Sequence, residues 1–129
     1  MIEIGMKHQT VRTVLPAYTA SAMKSGTLEV LATPIMIAWM EECCLDCVQP
    51  RLEEGQSTVG TRVEITHEAP TPVDGTVTIS CFLRQVDGRR LVFAVEASDN
   101  AGIIGRGAHE RFVVDSAKFQ AKCDKKKQL

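Results

Sequence analysis

Between Leu31 and Gln49 the chain reads LATPIMIAWMEECCLDCVQ, and apolar residues fall on nearly every helical row. Only Ala38, Glu42, Asp46 and Gln49 make a polar stripe at three- and four-residue spacing, so the pattern predicts a helix buried on most sides. Pro34 suits the first helical position behind Thr33 as a hydroxyl N-cap, and Pro50 predicts the stop near Gln49. From Val59 onward the period changes to two. Val63, Ile65, His67 and Ala69 alternate with Arg62, Glu64, Thr66 and Glu68; Val77, Ile79, Cys81 and Leu83 keep one phase, as do Leu91, Phe93, Val95 and Ala97. PTPVDG, Asp87-Gly88 and DNAG mark the turns between these strands. The last run, IIGRGAHERFVV, has a blurred phase, because Gly105 and Gly107 signal a bulge or a close backbone approach. Upstream, HQTVRTVL alternates weakly as a strand ended by Pro16, and YTASAMKSGTLEV reads as a loop with at most a helical turn.

A helix that needs covering and a sheet with one apolar face satisfy each other by wrapping. The expectation is an α+β domain over residues 1–129, an antiparallel sheet around one long buried helix, with no repeat and no dividing linker.

Two residues do not fit this pattern. Glu41 stands four residues after Ile37 and four before Leu45, in the middle of an aliphatic row. His67 shares the phase of Val63 and Ile65 and is expected to point toward the helix. Buried charge is costly unless paired or used, so an acid and a histidine meeting at a helix–sheet junction predict a site. Thr33 is accounted for as a cap, yet a helix N-terminus also offers unpaired N–H groups to a developing oxyanion. Pro34 has no N–H, which leaves Ile35 or Met36 as the expected donors. Other arrangements fail. No G-x-S-x-G elbow accompanies the serines, and GIIGRG lies in a strand region without the context of a nucleotide loop. His109, Glu110 and Arg111 alternate across a strand and cannot all enter one pocket, so Glu110 and Arg111 read as salt-bridge partners.

Composition narrows the classes. Fifteen basic against sixteen acidic residues give a net charge of −1, which predicts neither nucleic acid nor an anionic membrane as partner. The polar end, residues 123–129, is expected to be solvated and frayed. No run approaches the length of a membrane span and the N-terminus lacks the features of a signal peptide, so a cytoplasmic protein is expected. Of the five cysteines, Cys43, Cys44 and Cys47 share the helix and read as small buried apolar residues, not as a metal or redox site.

The segments MEECC, VGTRVEITHEAPTPVDGTVT, VDGRRLVFAVEASD and IGRGAHERFVVDSAKFQAK together resemble the hotdog-fold thioesterases of the fluoroacetyl-CoA thioesterase type, over residues 30–122. That resemblance implies a hotdog fold, and a catalytic group made of Thr33 at the helix start, Glu41 on the helix and His67 on the following strand. It further implies Gly60 and Arg111 as substrate contacts, and a homodimer with sites at the subunit interface. An acyl-CoA thioester would be the substrate, with no cofactor. Glu41 would act as nucleophile or general base, His67 in proton transfer and Thr33 in orientation. The alternative is a hotdog protein that binds acyl-CoA without cleaving it; hydration or dehydration of an acyl thioester ranks lower. Members of the family specific for the fluorinated substrate carry phenylalanines before the threonine, whereas MKSGTLEVLAT has none, and Pro34 follows where a small flexible residue is usual.

Overall fold

The computed structural model describes every residue from Met1 to Leu129. Strand β1 (Lys7–Thr13) leads through a short helix α1 (Ala20–Met23) to the central helix α2 (Thr33–Val48). Strands β2 (Gln56–His67), β3 (Thr76–Asp87), β4 (Arg90–Asp99) and β5 (Gly102–Asp115) follow, then helix α3 (Ser116–Asp124). All pairings are antiparallel, in the order β1-β3-β4-β5-β2. The sheet curls over α2, which is the helix-in-sheet arrangement expected from the change of period and the hotdog fold that the resemblance implies.

Alternation explains how the core is made. Ile79 and Leu83 of β3, with Leu91, Phe93 and Val95 of β4, meet Met36, Met40, Cys43 and Val48 of α2. Each such side chain contributes about 1.5–3 kcal/mol on burial. Gly88, at φ +60, makes the two-residue β3–β4 turn that Asp87-Gly88 signalled. Gly105 and Gly107 are both close approaches. A Cβ at Gly105 would lie 2.7 Å from the Met36 side chain, and one at Gly107 would strike the Glu64 carbonyl. The register also slips between Ala97 and Ser98, opposite Gly105 and Ile103, so the blurred phase of β5 has a bulge behind it as well.

Three expectations need correction. The helix is not buried on most sides: Met36, Trp39, Met40, Cys43, Cys44, Cys47 and Val48 face the sheet, while Ile37, Glu41 and Leu45 form a half-exposed flank. The sheet covers mainly one side, because at that flank only β2, its outer edge, approaches the helix. For the same reason the inward face read into β2 is open only in part: Val63 keeps 42% of its surface, while Ile65 and Ala69 pack against the core. Lastly, the C-terminal run forms a helix, with the Asp115 carboxylate accepting from the Lys118 N–H, although all its residues are exposed. The helix cysteines are buried free thiols, as read from their spacing. A hydrogen bond with Cys81 and then burial push the Cys43 thiol up, and burial raises Cys47, so both stay protonated. No helix is long and apolar enough to cross a membrane.

Candidate active site

Helix α2 carries chemistry at two places eight residues apart. At 1.5 Å per residue the separation along its axis is about 12 Å.

The first is its N-terminus. Thr33 is not the cap: it is the first helical residue, and Ala32 caps the helix with no side-chain hydrogen bond. The Thr33 hydroxyl is thereby released, and its Oγ1 lies 2.7 Å from Nδ1 of His67, the last residue of β2. The expected donors are also spent, since Ile35 and Met36 both donate their N–H to Ala32 O, at 3.0 and 3.1 Å. With Pro34 lacking an N–H, Thr33 N–H is the first-turn donor left to a ligand. Burial holds the His67 pKa below its ordinary value, a backbone hydrogen bond at Ala69 working weakly the other way, so the ring is neutral at pH 7. Its Nε2 is buried without a partner of good geometry. Thr33 and His67 open onto a cleft of about 720 Å³, lined also by Val30, Leu31, Pro34 and Ile37 and by no aromatic side chain. An aliphatic cleft beside a hydroxyl–imidazole pair can hold an apolar acyl group with its carbonyl at the pair.

Glu41 is at the second place, on the half-exposed flank, with 42% of its side chain accessible. It does not touch His67. Its Oε2 lies 3.7 Å from Arg111 Nη1 and 4.0 Å from His109 Nε2. Gly60 sits directly over it, where a Cβ would come within 2.6 Å of the same oxygen. The β2–β5 register slips between Gly60 and Arg62, and this bulge brings the bare glycine backbone against the carboxylate. Arg111 is buried, donating from Nε to Thr58 Oγ1 (2.8 Å) and from Nη2 to Thr58 O (2.9 Å). Burial lowers its pKa while the Glu41 charge opposes that, and an arginine starting above 12 remains a cation.

Of the five residues singled out from sequence, Thr33 and His67 therefore meet at one place, and Glu41, Gly60 and Arg111 at the other. Glu110 points to the opposite sheet face and is bridged by Arg62 (3.1 Å) and Arg90 (2.8 Å), the structural role read for it. Arg111 is an ion-pair partner too, but on the helix side of the sheet, with Glu41. His109 was not singled out. The one available signal was its two-residue spacing from Arg111, which puts both on one face.

A sheet wrapped around one long helix, with polar groups at the helix start and on its flank, is a hotdog fold carrying a candidate enzyme site. Residues 14–117 match the model of the fluoroacetyl-CoA-specific thioesterase family, and the chain belongs to that family. It is a thioesterase. The fluoroacetyl-CoA thioesterase of Streptantibioticus cattleyicolor is 42% identical over 119 residues, 92% of this chain and 84% of that one. A solved structure of the fluoroacetyl-CoA thioesterase superposes with a TM-score of 0.93 at 36% identity, covering 98% of both chains. A thioesterase superfamily member from Thermus thermophilus matches at 0.91 and 28% identity, over 99% of this chain and 95% of that one.

Proposed function

We propose that the protein hydrolyses short-chain acyl-CoA thioesters in a homodimer whose active sites each combine Thr33 and His67 of one subunit with Glu41 of the other. The observation that carries this is the division of the chemistry on α2, with Thr33 and His67 hydrogen-bonded at one place and Glu41 held about 12 Å away. One chain alone cannot put both groups on a single carbonyl. Two copies can: in an antiparallel pair of identical helices related by a two-fold axis, residue 33 faces residue 41 of its partner when the axis passes near residue 37. Ile37 lies between them on the half-exposed flank. The free outer edge of β2, twelve residues long and bearing exposed Val63, offers a second self-complementary surface.

In this reading the acyl group enters the aliphatic cleft, and its carbonyl oxygen accepts from the Thr33 hydroxyl and N–H. Glu41 of the partner subunit takes a proton from a water that adds to the carbonyl carbon, and that proton passes by way of His67 to the sulfur as the C–S bond breaks. Alternatively Glu41 itself attacks, the C–S bond breaks, and water then cleaves the acyl–Glu41 anhydride to the acid and the free carboxylate. The thiolate of CoA leaves as His67 supplies or relays a proton. The neutral state of His67 suits a group that must first accept a proton before giving one. The family and its relatives support acyl-CoA as substrate, and the cleft's lack of aromatic side chains supports an unspecialised short acyl chain. The test is free-thiol release from acetyl- to octanoyl-CoA and fluoroacetyl-CoA by wild type and Glu41→Gln. Turnover by wild type with loss of about 10²–10⁴-fold in the variant is expected. Undiminished turnover by a folded Glu41→Gln protein would overturn the assignment.

A further inference from the structure

Beneath Glu41 lies a buried histidine that plays no part in these steps. His109 is 1% exposed and sits two residues before Arg111 on β5, both side chains on the helix side of the sheet. Each ring nitrogen has one partner. Nδ1 is 2.8 Å from Arg62 O, and Nε2 is 3.1 Å from Arg111 Nη1. A carbonyl only accepts and a guanidinium only donates, so the two contacts demand the same neutral tautomer: Nδ1–H donating to Arg62 O, and a bare Nε2 accepting from Arg111. Protonation would set an N–H against an N–H. Burial, with the Arg111 charge reinforcing it and the Arg62 carbonyl and Glu41 opposing it, favours the neutral ring.

The consequence falls on Arg111. Thr58 fixes the Nε–Nη2 edge of the guanidinium by two bonds, and His109 fixes Nη1. Nη1 carries two hydrogens. With one committed to His109, the other is available to Glu41, whose Oε2 lies 3.7 Å away. A guanidinium held at both ends is a fixed electrostatic support for a carboxylate that is otherwise half-exposed and free to swing.

We propose that His109 is a positioning residue, an acceptor at Nε2 that locks Arg111 so that its charge faces the reacting carboxylate of Glu41. The inference rests on Glu41 being the reacting group of the proposed hydrolysis. A double-mutant cycle on thioester hydrolysis tests it. His109→Leu keeps an apolar shape and removes the acceptor; it lowers kcat about 10- to 100-fold with little change in KM, the range usual for losing a group that orients a reacting one. His109→Gln, which offers an amide oxygen to Nη1, recovers most of that loss. In an Arg111→Gln background the leucine substitution costs less than about threefold, because the residue through which His109 acts is gone. Equal losses in both backgrounds, or none in either, overturn the proposal. Nitrogen NMR of the wild-type imidazole gives an independent reading if the leucine variant does not fold. A neutral ring protonated on Nδ1 at pH 7 is expected, and a cationic or Nε2-protonated ring overturns the lock. Should Glu41→Gln keep full activity, the catalytic reading falls, and a cycle that still couples His109 to Arg111 would show the lock serving something else.

Discussion

Adding one methyl group at Gly60 should damage catalysis while leaving the fold nearly intact. The Cβ of Gly60→Ala would start 2.6 Å from Glu41 Oε2, 3.2 Å from His109 Cε1 and 3.5 Å from Arg111 Nη1. An unstrained contact begins near 3.4 Å, so about 0.8 Å must be found. His109 is pinned at both nitrogens and Arg111 at three points, so neither yields easily. The Glu41 carboxylate is the far end of a flexible, half-exposed chain, and it moves. A displacement near 1 Å at a reacting group costs on the order of 10²-fold in rate. Stability should change by less than about 1 kcal/mol, because the clash relaxes through one side chain and alanine restricts the unfolded chain more than glycine does. Steady-state thiol release paired with thermal unfolding separates the two effects. A Gly60→Ala protein with unchanged kcat/KM would mean that the Glu41 carboxylate need not hold its place for hydrolysis. One whose melting temperature collapses while its folded fraction keeps full activity would refute the reasoning, since the strain would then have gone into the backbone.

Gly107→Ala is the converse, because its Cβ meets the backbone of Glu64 and Ile65 and nothing flexible; chemical denaturation should show a loss of several kcal/mol. Mixing Glu41→Gln with His67→Ala subunits tests the shared site. Each homodimer is inactive, but a heterodimer holds one intact pair, so equal mixing should restore about a quarter of wild-type activity; no recovery after verified exchange would place both groups in one subunit's site. Val63→Asp puts a charge on the free β2 edge and should yield an inactive monomer by light scattering. Acid lability follows from the two depressed histidines. Their folded pKa values lie below the ordinary 6.5, so the unfolded chain binds protons first, and stability held above pH 6.5 falls as pH drops through that value toward the folded pKa. Glu68, held at about 2 by Arg106 and Thr66, adds a further loss between about pH 4.5 and 2. A melting temperature flat from pH 8 to pH 5 would contradict both histidine shifts.

The helix and the strands were legible because their periods differ so sharply. The predicted helix from Pro34 to Gln49 is observed from Thr33 to Val48, and β2 to β5 fall where the alternation puts them. The one-residue error at the helix start had chemical consequences. It made Ala32 the cap, turned the Thr33 hydroxyl toward His67 and gave the Ile35 and Met36 amides to a carbonyl. Glu41 and His67 were conspicuous as polar residues in apolar phase, but their partners were not legible. Alternation states which face a residue occupies, whereas contact across strands depends on register, and here the register slips at Gly60. The register ahead of that slip sets Arg111 opposite Gly60 and beneath Glu41. His109 stayed hidden for a related reason: Glu110, between it and Arg111, made the trio read as alternating residues with salt-bridge roles, and its neighbour across the sheet, Arg62, contributes a carbonyl that no side-chain pattern reveals.

The eight-residue interval from Thr33 to Glu41 has a kinetic meaning. A rigid helix cannot fold back on itself, so on the proposed sharing of the site between subunits a lone chain would hold two incomplete halves and no whole. Specific activity should then fall on dilution, and below the concentration at which subunits separate the rate should grow as the square of the amount of enzyme. Saturating acyl-CoA, by bridging the halves, would hold the pair together and move that threshold downward. On the proposed shared site, newly made, unpartnered chains would be inert, and hydrolysis would begin only once two of them had met.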